Sequence, residues 1–535
     1  MRVLGISPAH DSSVCLINDG VVEYFYKEER FSKVKRDKNP LTALSYINEK
    51  GLDIDLAVFC SPTNNDEGTS FFENYCLKHL KVKRFEDMSH EHHLQHASLA
   101  FYDSGFEKSL VFVIDRNGSY FYGGRESESV FVAEYPYDFT LLYKSAWVEN
   151  KNQKMQSYNH SGAIIDVLTT HGITRVYESA TRLIQQHGLE NGKTMGLAAY
   201  GEESNLYKNL FLYDNIGNYN ILEDDEEHFA INKNIQNISR RNITKENYKI
   251  YADYAYAVQK QTQEAVLGLV KKYVEKTKID NVCITGGYGL NVVANGYLRE
   301  QLPNVNFFFE PIADDTGNSI GGAKYGFYAL TKSRHIEPLS STFFNGENYS
   351  LENVKGVKTN IKSVVDKIIS GATVGLYYGL SEAGPRALGH RSILFDARNK
   401  NAKEIVNVVK QREWYRPFAG VMLEEDANKY FYNVDANNSK YMTINYKAKP
   451  EAKKDIPGVL HIDNTCRIQI ISDIKEPLYK LLCEFKKQTG VGVLLNTSLN
   501  LAGKPLVETP EDAVEILNNS SLSCMWFPEK NILAS

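Results

Sequence analysis

At 535 residues, with 42% hydrophobic and 24% charged side chains, the chain is long enough for two or more globular domains. No apolar run is long enough to span a bilayer, and a net charge of −5 gives no global basic field of the kind that marks a nucleic-acid binder. Seven cysteines, an odd number without C-x-x-C spacing, argue for reduced thiols and against a cysteine zinc site. Met1-Arg2 runs directly into strand-like "VLGIS" with no signal-peptide pattern, so a cytoplasmic protein without a membrane partner is expected.

The segment "VLGISPAHDSSVCLINDGVVEYFYKEER" from Val3 predicts strand, turn, strand, Asn-Asp-Gly hairpin and strand. "SLVFVIDRNGSYFYGG" (109–124) repeats its opening, a buried-type strand that runs into a polar turn. Between them lies "SHEHHLQHASLAFYDSG" (Ser89–Gly105), which gathers His90, His92, His93 and His96 out of 13 histidines in the chain. A zinc-protease H-E-x-x-H fails because Leu94 stands where the second histidine belongs. On a helix, His92 and His96 share one face, either as a metal clamp or as a polar helix surface. Two "KVKR" tracts, at 33–36 and 81–84, read either as phosphate contacts or, more simply, as solvated loops.

Residues 201–250 are polar and asparagine-rich and read as an irregular insertion. A long helix is predicted over 254–276, where Ala255, Val258, Ala265, Leu269 and Tyr273 keep helical spacing. Strand "NVCITGG", helix "LNVVANGYLREQ", strand "VNFFFEP" and helix "IADDTGNSIGGAKYGFYAL" follow, which means an α/β core. Periodicity is lost over 331–350, the best interdomain linker, before a second α/β unit begins at "IKSVVDKIISGATVGLYYGL". "ETPEDAVEIL" is a helix start, with Thr509 as cap, Pro510 at the first turn and Asp512 completing a capping box.

"GLENGKTMG" is one residue short of a P-loop, since Gly188 and Gly192 enclose three residues instead of four. "TGGYGLN" (285–291) lacks the third glycine of a dinucleotide fingerprint, and reads either as a phosphate- or adenosine-facing turn or as a tight turn alone. The C-terminal half is rich in anion-binding residue types. Arg386 and Arg391 flank a Gly-Pro turn in "SEAGPRALGHRS", and Arg412 and Arg416 are expected one helical turn apart in "KQREWYRPFAG". His461 and Arg467 lie in "HIDNTCRIQ", and Asn496, Thr497 and Ser498 end the apolar strand "LLNTSLN". Guanidinium forks beside glycine, proline and strand ends suit phosphate or carboxylate.

In order along the chain, "HDSS", "HHLQHA", "KTMGLAAYG", "GGYGLN", "DDTGNSIGGA", "GPRALGHRS", "REWYRPFAG", "HIDNTCRIQ", "LLNTSLN" and "PEDA" resemble the NodU/CmcH/TobZ family of O-carbamoyltransferases over nearly the whole length. The resemblance implies an α/β protein of two domains. The first, over 1–340 with the insertion near 201–250, would be a duplicated actin-like (ribonuclease H-like) ATPase-superfamily domain, similar to the tRNA threonylcarbamoyltransferase and carrying a metal site. The second, over 345–535, would be a YrdC-like α/β domain that forms carbamoyl-adenylate from carbamoyl phosphate and ATP. The first domain would then pass the carbamoyl group to an acceptor hydroxyl.

Carried over by the same resemblance, His92, His96, Asp115 and Asp315 are expected metal ligands. The set suits Fe(II), with Mn(II) or Zn(II) as substitutes, and Mg would accompany ATP. His10 is the expected general base, with Asp11 orienting it or the acceptor. Gly286, Gly287, Asn291 and Gly317 would face nucleotide in the first domain. Arg386, Lys410, Arg416, Arg467, Asn496 and Ser498 would hold carbamoyl phosphate and ATP in the second. Five positions depart from the family pattern: Arg116, His390, Asn464, Leu499 and Lys504. Arg116 adds charge beside Asp115 and is expected to reshape the acceptor site or to touch a substrate phosphate. The acceptor reads either as a small sugar or natural-product hydroxyl, or as a hydroxymethylated pyrimidine in DNA. The second case would place a phage-encoded chain in its host's cytoplasm. A homodimer is compatible with the sequence. The competing classes are a sugar-kinase-like phosphotransferase of the actin-like superfamily and a non-catalytic nucleotide-binding relative.

Overall fold

The computed structural model of the chain describes residues 1–62, 66–121, 123–148, 156–168, 172–185, 190–207, 211–213, 219–221 and 243–535. Most of the polar 201–250 insertion, and Gly188 of the P-loop-like stretch, lie outside the described residues. The architecture is mixed α/β. Two compact units divide it: Met1–Glu23 with Leu44–Leu339, and Tyr24–Ala43 with Ser340–Ser535.

The first unit is built on a repeated plan. Arg2–Ser7 pairs antiparallel with Ser13–Asn18 and parallel with Leu56–Phe59. Lys108–Ile114 likewise pairs antiparallel with Gly124–Glu134 and parallel with Asn281–Thr285. The strand orders match as well. One runs Val21–Lys27, Ser13–Asn18, Arg2–Ser7, Leu56–Phe59, Phe85–Asp87, and the other Asp138–Trp147, Gly124–Glu134, Lys108–Ile114, Asn281–Thr285, Asn306–Phe309. Val3, Leu4, Ile6, Val111, Phe112 and Val113 are fully buried, as strands covered on both faces require. Asp19 and Gly20 take φ of 50° and 89°, the left-handed pair of a two-residue hairpin. The repeat expected from sequence is therefore present, and each copy sets a polar turn at the end of its first strand.

Two helices carry much of the site. His92–Ser104 begins at its histidine pair, and Asn318–Thr331 follows the short turn Asp315–Gly317. They meet closely because Gly321 has no side chain: a Cβ there would lie 2.1 Å from the Gln95 carbonyl oxygen. A Cβ on Gly5 would lie 1.8 Å from the Ser319 carbonyl oxygen, so the same helix also sits tight against the Arg2–Ser7 strand. A buried ion pair between Lys324 and Asp103 fixes the register of the two helices. The long helix predicted near 254–276 spans Tyr248–Thr277.

The second unit centres on a 9-stranded sheet that includes Val374–Tyr377, Arg391–Asp396, Val493–Ser498, Ala419–Met422 and Thr465–Ile470 as neighbours in that order. Val364, Ile368, Leu376, Leu394, Leu481, Phe485 and Trp526 fill its core. The Thr509 capping box forms as the sequence predicts: Thr509 Oγ1 accepts from the Asp512 amide at 3.2 Å, and the Thr509 amide donates to Asp512 at 2.9 Å. Tyr24–Ala43 fall in this unit, although the sequence reading kept them with 1–340. The reason is pairing. Phe25 lies beside Asn345 in a parallel ladder, the Lys27 amide donates to Asn345 Oδ1 at 2.8 Å, and Arg30 reaches the Glu382 carbonyl at 3.2 Å.

Candidate metal centre and anion pocket

The first unit brings four ligand-type residues from four places in the chain to one point. His92 and His96 lie one turn apart at the start of one helix and are fully buried. Asp115 follows the Lys108–Ile114 strand, and Asp315 opens the turn before the Asn318–Thr331 helix. One ligand atom from each lies within 4.8 Å of all the others. His92 Nε2 is 3.7 Å from Asp115 Oδ2 and 3.5 Å from Asp315 Oδ1, and His96 Nε2 is 3.3 Å from Asp315 Oδ1. A divalent cation about 2.1 Å from each ligand would space adjacent ligand atoms by roughly 3.0–3.4 Å, so the cluster is close to coordination size. His92 Nε2 is also buried without a hydrogen-bond partner. The residues present therefore fit a divalent cation held by two imidazoles and two carboxylates.

Electrostatics agree with that reading. Burial would raise the Asp115 and Asp315 carboxyls, yet the imidazoles hold both well below the usual carboxylate range. Burial opposes charge on His92, but Asp315 and Asp115 together lift it to about 10. These are the shifts expected where carboxylates and imidazoles converge in a buried site. His93, on the same helix, is no part of the cluster. Its Nδ1 bonds Ser129 Oγ at 2.7 Å, and burial lowers it to about 3. His90 is exposed.

His10 stands at the edge of this cluster, with Nε2 3.5 Å from Asp315 Oδ2 and Nδ1 3.3 Å from Asp11 Oδ2. Asp315 raises it to about 9 against the opposing effect of burial, with Asp11 adding to the rise. In this state the ring is a proton donor. A cation on Asp315 would offset the carboxylate and return His10 toward its ordinary range. Asp11 takes a left-handed φ of 65°, which its short polar side chain tolerates.

The Gly287 amide donates to Asp115 Oδ1 at 3.0 Å and so orients a carboxylate of the cluster. Asn291 caps the next helix through the Ala294 amide at 3.1 Å and pairs with Gln259. Gly286 takes φ 81° with its Cα against the Ile114 backbone, and Gly317 packs against Leu99 and Ile312. Arg116 forms an ion pair with Glu178, which also holds Arg182 at 2.6 Å. Sequence reasoning missed Asn318, whose carboxamide nitrogen lies 3.3 Å from His96 Nε2 and 3.5 Å from His92 Nδ1. Its signal was weak, one asparagine at a helix start.

In the second unit a group of cations collects with little negative charge. Burial, then the positive charges of Arg412, Arg416 and Lys35, push Lys410 well below the usual lysine range. Burial with Arg416 and Arg467 acts the same way on Arg412, and burial with Arg386 and Arg416 on Arg467. Guanidinium groups stay charged, so this crowding persists as repulsion. Among Lys410, Arg412, Arg416 and Arg467, the described residues give an ion pair to Arg416 alone, with Glu413 at 3.5 Å. Arg467 Nε and Asn496 Oδ1 are buried without a partner. Lys410 Nζ donates to Ser498 Oγ at 3.1 Å and to Asn500 Oδ1 at 2.5 Å, which fixes the end of the Val493–Ser498 strand. Guanidinium forks of this kind suit the oxygens of a polyanion.

Arg412 and Arg416 are not on the helix that their spacing predicts: Ala402–Lys410 ends before them, with Gln411 at φ 52°. The 33–36 basic tract is a largely exposed loop, as expected, and its Lys35 lies within electrostatic range of Lys410. Of the remaining departures, Leu499 is fully buried in the core and Asn464 occupies a left-handed turn position. His390 stacks on Phe343 at 3.6 Å and meets Glu476 at 3.1 Å.

Fold and site together define an α/β protein with a buried two-histidine, two-aspartate centre in one unit and a crowded cation pocket in the other. The chain belongs to the carbamoyltransferase family, whose N-terminus model matches residues 64–324 and whose C-terminus model matches 365–533, and it is accordingly a carbamoyltransferase. Nodulation protein NolO of Bradyrhizobium diazoefficiens is 30% identical over 79% of this chain and 75% of its own. An uncharacterized protein of Methanocaldococcus jannaschii is 29% identical over 83% of this chain and 74% of that protein. One of Synechocystis sp. is 28% identical over 96% and 93%. Among the described residues no helix is long and apolar enough to cross a membrane.

Proposed function

We propose that the chain is an ATP-dependent O-carbamoyltransferase whose two chemical steps are divided between its two units. The repeated strand plan supports the actin-like reading of the first unit, and the cation-lined sheet supports the YrdC-like reading of the second. The observation that carries the proposal is the convergence of His92, His96, Asp115 and Asp315 within 4.8 Å.

In the second unit, Lys410, Arg416, Arg467 and Arg386 would neutralise carbamoyl phosphate and the phosphates of ATP, anions that otherwise repel one another. Water releases inorganic phosphate from carbamoyl phosphate. The resulting carbamate oxygen attacks the α-phosphorus of ATP, and pyrophosphate leaves. The product is a carbamoyl-adenylate with AMP as its leaving group. In the first unit, a cation on His92, His96, Asp115 and Asp315, Fe(II) or its substitutes, would supply Lewis acidity toward the carbamoyl carbonyl. His10 would accept the proton of the attacking hydroxyl, and Asp11 would hold the ring. The acceptor is a hydroxyl of a small sugar-like compound or of a hydroxymethylated pyrimidine in DNA. A DNA acceptor needs its base flipped out or single-stranded.

The test is incubation with ATP, carbamoyl phosphate and Fe(II) against panels of both acceptor classes, with products read by mass spectrometry. Carbamoylated acceptor with AMP and pyrophosphate, dependent on carbamoyl phosphate, is expected. ADP release that ignores carbamoyl phosphate would replace this reading with phosphoryl transfer.

A further inference from the structure

Asn318 is fully buried at the start of the helix that follows Asp315. As placed, its Nδ2 faces two ring nitrogens, His96 Nε2 at 3.3 Å and His92 Nδ1 at 3.5 Å. Its Oδ1 is buried with no partner. A carboxamide nitrogen is a donor only, so as placed it can bond Nδ1 only where that atom carries a lone pair. His92 Nε2 is the atom that faces Asp115 and Asp315.

A cation held by the four ligands reverses that requirement. The same Nε2 must offer its lone pair, so the proton sits on Nδ1, and Nδ1 becomes a donor that faces another donor. Rotation of the amide by about 180° resolves the conflict, since oxygen and nitrogen are of nearly equal size and exchange places. Oδ1 then accepts from His92 Nδ1–H. Metal-bound histidines gain this kind of outer partner as a rule, and it fixes the ring's tautomer and angle.

We propose, resting on the metal-centre reading above, that Asn318 is a positioning residue for His92. Its carboxamide oxygen accepts the Nδ1 proton and so presents the Nε2 lone pair to the cation. Asn318 touches neither substrate nor the reacting atoms.

The test uses the full-length protein and Co(II) as a spectroscopic probe, read by titration of the visible bands. Wild type and N318D, which both offer an oxygen acceptor, should bind Co(II) within several-fold of each other. N318L, of similar size without an acceptor, should bind about 10- to 100-fold more weakly, with altered band positions. Thermal unfolding without metal reports whether N318L folds, and N318A carries the same expectation if it does not. Zn(II)-loaded wild type labelled with nitrogen-15 at histidine should show His92 protonated at Nδ1. Equal Co(II) affinity and identical spectra for wild type and N318L, or a His92 proton on Nε2 with Zn(II) bound, would overturn the inference alone. Absence of cation binding by wild type would overturn the metal-centre reading and the inference with it.

Discussion

Replacing Arg467 with methionine should make the protein more stable without ligand and less able to hold a polyanion. Arg467 Nε is buried without a partner, and among the described residues the side chain meets no carboxylate at ion-pair distance. Its neighbours Arg386 and Arg416 repel it. Arg467→Met therefore removes a buried unsatisfied donor, worth about 1–3 kcal/mol, and relieves like-charge repulsion besides. Its thioether chain keeps most of the packing. For a unit of this size each kcal/mol moves the midpoint by about 2–4 °C, so a rise of roughly 2–12 °C is expected. Pyrophosphate should reverse the order. At 100 times its Kd it stabilises wild type by about 2.7 kcal/mol, whereas the variant should gain less than about 1 kcal/mol. The assay is thermal unfolding with and without pyrophosphate, followed by the transition that the anion moves. A variant that melts below wild type without ligand, and that pyrophosphate stabilises as much as wild type, would refute the claim that the cation crowding exists for a bound anion.

Burial raises the Glu128 carboxyl to about 7, against hydrogen bonds from Ser145 and the Ile173 amide. The native state thus holds a proton that the unfolded chain releases near 4.5, and stability should fall as pH rises from about 4.5 to about 7. The full difference is about 3 kcal/mol at 1.36 kcal/mol per unit. Glu128→Gln keeps an oxygen for Ile173 and should flatten the profile, with a gain at pH 8 and little change at pH 4; urea unfolding at both pH values measures it, and an equal effect at both contradicts the assignment. Gly321→Ala should cost about 1–3 kcal/mol, because its Cβ would enter the Gln95 carbonyl, 2.1 Å away. It should also weaken divalent-cation binding by moving the His92 helix away from Asp315; a stable variant with unchanged Co(II) affinity would show that this helix contact does not set the centre.

Much of the site was legible only through the resemblance to a known family, which implied His92, His96, Asp115 and Asp315 as ligands. Spacing alone predicts no more than that His92 and His96 share a helix face, a signal local to one helix. The hairpin at Asp19-Gly20 and the capping box at Thr509 are local too. What the sequence hid depends on distant partners. Nothing near Lys35 signals Lys410, since they are joined by the pairing of Phe25 with Asn345. Arg116 looked available until Glu178, on a helix far along the chain, was found to hold it. Arg412 and Arg416 kept helical spacing, but Gln411 turns left-handed and breaks the helix before them. Asn318 could gain meaning only once the two rings were seen beside it.

The division of labour between the units is tested most directly with His92→Ala, assayed for both steps in one preparation with ATP, carbamoyl phosphate, Fe(II) and an accepted hydroxyl. Pyrophosphate release dependent on carbamoyl phosphate should persist near the wild-type rate, while carbamoyl transfer falls by at least about 100-fold. Parallel loss of both activities in a folded variant would contradict it.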